Sequence, residues 1–352
     1  MKRLFICQIV PNNLVHIIKA PQASNTFSYN LIENHLFDQV FSIVPLSYYH
    51  NEIKDERIIK FYKGKYTHKK YKNIFCYIKN SLKVAGDSRK YNYIWFYNIC
   101  NANLLAYIII KYIFRKKTYV IILDHTPANK TLSLQNLKEW LIKKSSGAIA
   151  LSSRGIFKIK NIDYLAGIIP LNKIKTIIHP INPHKISFLF SGKLNLPAGF
   201  DMVLKVFKTF PNLELYITGP DSFEKELIKN HPNIHYLGYL PYSDYLKLYD
   251  KVDICLNLRN PEYPENINNF PSKILEFFSF NKIVISTIEY PELKDFKYFT
   301  VNYDENQIRD LINKIPKIKV DTLLEYCNNR EQMKNNFSEH AWSKALSNIE
   351  SK

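Results

Sequence analysis

The chain has 352 residues, 46% of them hydrophobic and 23% charged, and carries a net charge of +18. That length favours two domains of ordinary size over one, with apolar residues enough for sizeable cores. The longest apolar run, residues 104–114 broken by Lys111, is too short to span a bilayer and so excludes a membrane-spanning helix there.

The charge is uneven. Residues 1–185 hold 29 Lys and Arg against 9 Asp and Glu, while residues 186–352 hold 20 against 22. A basic first half suits an anionic partner: membrane headgroups, nucleic acid or a phosphorylated substrate. The five cysteines are scattered, with none in CxxC spacing. This pattern predicts a reduced compartment and no zinc site. The opening MKRLFICQIV is too short in its apolar part for a signal peptide, so the sequence predicts a cytoplasmic chain, soluble or peripheral on the inner membrane face.

Residues 4–10 form a continuous apolar run, expected of a strand buried on both faces. The loop after it has no glycine, which argues against a phosphate cradle at this end. A helix to about residue 35 and a strand over 39–44 follow. Residues 51–90 interleave lysines with Phe61, Tyr62, Tyr66 and Tyr71, a mixture suited to a headgroup interface, to single-stranded nucleic acid or simply to a solvated face. A strand over 93–97, a helix over 103–114 and a strand over 119–123 lead into Asp124 and His125. Polar residues at the carboxyl end of a parallel strand are where open α/β sheets place their sites, which makes both catalytic candidates. A helix over 134–144 and strands over 147–151 and 175–179 complete the half. Pro180 and Pro183 mark a boundary, giving domains 1–184 and 185–352.

The second half alternates strand and helix throughout, as in a doubly wound parallel sheet. Strands are expected over 186–191, 213–218, 234–236, 252–256 and 283–285, and helices over 200–210, 222–230 and from Pro241 to residue 249. A long loop over 259–270 precedes NNFPSKILEFFSFNKIVIST, residues 268–287. Pro271 suits a helix start, with Ser272 and Lys273 in its first turn near unpaired backbone N–H groups that attract anions. Glu276, a turn further on, can accept hydrogen bonds from sugar hydroxyls. Three helical segments close the chain, the last over 338–351.

The stretches FLFSGKL…GF, ITGP, HYLGYLP, PSKILEFFSFNKIVIST and FSEHAWSKAL resemble GT-B glycosyltransferases, close to the large retaining group called family 4 (group 1). The resemblance covers residues 186–351 well and the first half only in architecture and at the strand-end histidine. It implies a GT-B fold of two Rossmann-like doubly wound domains facing a central cleft. The first would bind a glycan or lipid-linked acceptor, the second a nucleotide-sugar donor, and the last helix would cross back to the first domain. In the family's E-x7-E motif the later acid contacts the donor's ribose, and its position is Glu276. The earlier acid, which contacts the donor sugar, is replaced by Asn268. Of the basic pair on the diphosphate, Lys193 beside Gly192 supplies the first member. Ala198 occupies the second position, and Lys273 can supply the missing charge. Gly219 lies on the same rim, and His125 would sit near the reacting carbon.

The resemblance implies retaining sugar transfer in surface polysaccharide synthesis, such as lipopolysaccharide or capsule, without a metal. The basic half would then hold the protein at an anionic membrane. The departures at Asn268 and Ala198 leave a second possibility, a degenerate transferase acting as scaffold. A third, nucleic-acid binding, has only the charge behind it, with no matching motif.

Overall fold

The computed structural model describes residues 2–123, 133–154, 159–219 and 225–352, apart from the side chains of Lys225 and Asn268. Asp124 and His125 lie outside the described residues. The chain forms two compact units: Met1–Pro170 with Phe337–Lys352, and Leu171–Asn336.

Among the described residues, unit 1 is built on seven parallel strands: β1 (Arg3–Cys7), β2 (Gln39–Ile43), β3 (Ile59–Tyr62), β4 (Tyr93–Tyr97), β5 (Thr118–Ile122), β6 (Gly147–Ala150) and β7 (Ile162–Tyr164). Their order is β3-β2-β1-β4-β5-β6-β7. Both faces are covered, so alternate residues of one strand enter different cores: Phe5 and Cys7 join one, Leu4 and Ile6 the other. This is why β1 reads as an unbroken apolar run.

The helix Glu339–Ser351 closes unit 1. Ser338 caps it, its side chain accepting from Ala341 N. Trp342 is fully buried, donates to Gly167 O at 2.7 Å and meets the Phe27 ring edge-on at 5.5 Å. Near the helix end the buried Glu350 carboxylate accepts from Arg3 Nε and from Trp95 Nε1, each at 2.8 Å.

Among the described residues, unit 2 has six parallel strands: β8 (Ser187–Ser191), β9 (Glu214–Thr218), β10 (Ile234–Tyr236), β11 (Ile254–Asn257), β12 (Ile283–Ser286) and β13 (Phe299–Thr300). Their order is β10-β9-β8-β11-β12-β13. In each unit the chain starts in the middle of the sheet, runs to one edge and restarts on the other side. The β1/β4 and β8/β11 crevices are therefore the topological switch points, where open α/β sheets bind ligands at the carboxyl ends of the strands.

The structure corrects several sequence expectations. The units divide after Pro170, not at 184, because residues 174–181 pack on unit 2. Lys175 N donates to Ser279 O, Asn281 Nδ2 donates to the carbonyls of Lys175 and Ile177, and Ile181 enters the unit 2 core. Those backbone bonds go to a helix end, so the expected strand over 175–179 does not form. The edge strand is β7, whose side chains are half-buried or exposed and so give no apolar run. Residues 51–90 include β3 and the 19-residue helix Lys70–Ser88. The loop over 259–270 contains the short helix Pro264–Asn268, with Pro264 in its first turn. Part of the helix expected over 222–230 lies outside the described residues, and Lys225–Ile228 is a 3-10 turn. Four helices, not three, end the chain: Glu305–Lys314, Val320–Cys327, Arg330–Phe337 and Glu339–Ser351.

Candidate functional site

The unit 2 site begins where β8 ends. Gly192 follows Ser191 with φ +136°, a conformation open to glycine and strained for other residues. Its N–H donates to Thr218 O, tying the β8 loop to the end of β9. A β-carbon on Gly219 would lie 2.3 Å from Gly192 O, so these two strand ends meet backbone to backbone. Gly199, φ +75°, opens the helix Phe200–Phe207, and a β-carbon there would lie 1.5 Å from Leu258 O. The loops after β8 and β11 thus touch at the switch point. Lys193 is exposed on this rim.

Lys273 and Glu276 come from the helix Lys273–Ser279, which leads into β12. A β-carbon built on Gly192 would lie 4.0 Å from Lys273 Nζ, so the ammonium reaches the β8 loop. It also sits 5.1 Å from the centre of the Tyr245 ring. The side chain keeps accessible surface, so a ligand can reach it. Protein packed around the ammonium nevertheless lowers the Lys273 pKa from the ordinary lysine value, with Glu276 and Cys255 opposing. Ser272 precedes the helix and is exposed, and its side chain makes no cap bond. Asn268 is the last residue of the helix Pro264–Asn268.

Glu276 is held by tyrosines that sequence reasoning missed. Tyr249 OH donates to Oε1 at 2.7 Å, and Tyr242 OH donates to Oε2 at 3.2 Å. Tyr245 OH contacts Tyr249 OH and lies 3.2 Å from Ser191 Oγ, joining the cluster to the end of β8. Burial raises all three phenol pKa values, and the Glu276 charge adds to this. They therefore stay protonated at neutral pH and serve as donors. The signal was their spacing: residues 242, 245 and 249 share one helical face.

The structure thus brings Gly192, Lys273 and Glu276 into one cluster, with Lys193 and Gly219 on the adjoining loops. The Asp124 and His125 candidates lie outside the described residues, as does the Asn268 side chain. Among the described residues no group of three His, Cys, Asp or Glu side chains could hold a metal ion.

Unit 1 has its own feature at its switch point. A cavity of about 200 Å³ lies at the carboxyl ends of β1 and β4, lined by Gln8, Ser28, Tyr48, Tyr97 and Cys100 among others. Gln8 Nε2 and Ser28 Oγ are buried there and have no hydrogen-bond partner among the described residues. Among the described residues no charged side chain lines it.

Residues 172–340 match the family described as glycosyl transferases group 1. Unit 2 is a group 1 glycosyl transferase domain. No curated protein matches the chain in sequence. Among solved structures, the chain is similar to HepE of Anabaena, crystallised with UDP-glucose, at TM-score 0.66 and 14% identity with 100% of both chains covered. It is also similar to the lipopolysaccharide outer core galactosyltransferase WaaB, at TM-score 0.64 and 14% identity over 99% of each chain. A third likeness is to a trehalose-6-phosphate synthase studied for glycosyltransfer with retention, at TM-score 0.64 and 10% identity, covering 100% of this chain and 99% of that one. These likenesses establish the GT-B fold over the whole length. The group 1 domain carries the Lys273–Glu276 cluster.

Proposed function

We propose that the protein moves a sugar from a nucleotide-sugar donor, held by unit 2, to a glycan or lipid-linked acceptor in surface polysaccharide synthesis. The observation that carries this reading is the Lys273 ammonium beside Gly192, with the tyrosine-held Glu276 carboxylate one turn away, in a group 1 domain. Glu276 accepts from the ribose hydroxyls. Lys193, Lys273 and the backbone after Pro271 and Ser272 take the diphosphate. The glycines at 192 and 219 let the donor approach the backbone. Asn268 contacts the donor sugar.

In the reaction an acceptor oxygen bonds to the anomeric carbon as the bond from that carbon to the diphosphate breaks. The nucleoside diphosphate leaves with the electron pair, and the acceptor proton passes to it. The positive charges stabilise the negative charge that grows on the leaving group, and no metal is required. Retention is part of this reading, as in the transfer studied in the trehalose-6-phosphate synthase, with His125 and Asp124, outside the described residues, as the catalytic candidates to test by substitution. The cavity of unit 1, where Gln8 Nε2 and Ser28 Oγ find no partner among the described residues, suits an acceptor sugar ring. The basic excess of residues 1–185 holds the protein at an anionic membrane surface.

Ligand-observed NMR with UDP-glucose, UDP-galactose, UDP-N-acetylglucosamine and GDP-mannose tests the donor site. One of them should bind, and Glu276→Ala and Lys273→Ala should each weaken it. Silence across a wider nucleotide-sugar panel would favour a scaffold over an enzyme.

A further inference from the structure

The helix Lys70–Ser88 is amphipathic the wrong way round for a helix that only packs on a sheet. Its second half is anchored, with Asn80, Ser81, Val84, Ala85 and Ser88 buried. Residues 70–79 include no fully buried side chain: Tyr77 packs against the core and Cys76 lies against Gly64, while the opposite face of this half of the helix is open. The open face is not polar. Tyr71, Ile74, Phe75, Ile78 and Leu82 are all exposed, Phe75 at 67% and Tyr71 at 63%. At about 100° per residue these five fall within an arc of roughly 100°, a single apolar stripe. Lys72, Lys79 and Lys83 border it on one side and Lys70 on the other, all exposed.

The charge around the stripe is mostly positive, Asp87 at the helix end being paired with Lys60. Residues 57–86 contain nine Lys and Arg and no Asp or Glu. The neighbouring helices on the same sheet face continue the apolar surface: Ile113 is exposed, and Trp140 stacks on Tyr112 with centroids 6.3 Å apart. An aromatic and aliphatic stripe bordered by lysines fits the headgroup–acyl boundary, where the apolar side chains enter and the lysine ammoniums reach up to phosphates. A second copy of this chain would bring like charge against like charge on the same face.

We infer that the Lys70–Ser88 helix is a membrane-docking element that inserts its Tyr71–Ile74–Phe75–Ile78–Leu82 stripe into an anionic lipid bilayer. This deepens the proposed membrane association, from charge attraction alone to insertion by a named face, and it rests on that part of the reading and not on the donor site. Insertion brings the acceptor end of a lipid-linked glycan to unit 1.

The test is flotation of the full chain with vesicles of phosphatidylcholine, with or without one quarter phosphatidylglycerol, at low and high salt. The wild type should float with the phosphatidylglycerol vesicles and keep part of that binding at high salt. Ile74→Asp with Phe75→Asp should reduce binding at least about tenfold, and the milder Phe75→Ser should reduce it in the same direction. Nucleotide-sugar binding should be equal in all three, so a failed donor site and a failed docking helix are told apart. The inference is overturned if the double variant floats like the wild type, or if the wild type does not float. It is also overturned if the double substitution turns a dimer into a monomer, or abolishes RNA binding, without changing flotation.

Discussion

Replacing Glu276 by Ala removes a carboxylate with about four acceptor positions. Two are taken, one on each oxygen, by Tyr249 at 2.7 Å and Tyr242 at 3.2 Å. Each oxygen therefore keeps one position, which matches the two vicinal hydroxyls of a ribose. A hydrogen bond to a charged group contributes about 1.5–3 kcal/mol. Glu276 is half-buried, so water competes, and losing both should cost about 2–4 kcal/mol. That is roughly a 30- to 1,000-fold rise in Kd by isothermal titration with the donor that binds the wild type. The sharper assay is a cycle with the 2′-deoxy donor. It should bind the wild type weakly and Glu276→Ala no more weakly than the full donor does. If deleting the 2′-hydroxyl costs the same affinity in both proteins, the carboxylate does not touch the ribose and the assignment is wrong. The fold should survive the substitution, because Tyr249 OH keeps its contact with Tyr245 OH.

Donor affinity should also depend on pH through Lys273. Its lowered pKa means that the ammonium is lost at a lower pH than an ordinary lysine, so affinity should fall early on the alkaline side. Lys273→Arg should flatten that fall in titrations across pH, and an unchanged profile would separate this charge from the diphosphate. Glu350→Ala leaves the Trp95 indole N–H and the Arg3 guanidinium without their buried carboxylate, and should destabilise unit 1 by about 3–5 kcal/mol in urea unfolding. Gly199→Ala combines a positive φ with a clash on Leu258 O, and a thermal melt should show unit 2 losing at least about 2 kcal/mol.

The parallel sheets were readable because strands buried on both faces show as apolar runs, as β1, β4 and β12 do. The edge strand β7 was not, since its half-exposed side chains leave no such run. Residues 175–179 misled in the opposite sense: the β-branched Thr176, Ile177 and Ile178 read as a strand, yet the backbone there bonds to the Ser279 carbonyl and the Asn281 side chain. Partners a hundred residues away leave no local mark. At the site, Gly192, Lys273 and Glu276 were legible through residue type and position at strand and helix ends. The hydroxyls of Tyr242 and Tyr249 were not, because a tyrosine spaced for burial looks the same whether or not its hydroxyl meets a carboxylate. Gln8 and Ser28 were missed for a similar reason: whether a buried polar atom finds a partner is visible only once its neighbours are known.

Unit 1 is discontinuous, made of Met1–Pro170 and Phe337–Lys352, while unit 2 is one unbroken segment. A ribosome delivers these parts in a fixed order. Unit 2 has all its residues before the helix that carries Trp342 and Glu350 emerges. Until then the groups that the helix will cover, Phe27 and Trp95 among them, wait without it. A frameshift or stop late in the message would therefore strike the opposite end of the fold from the one its position suggests. It would spare unit 2 and leave the first domain unfinished.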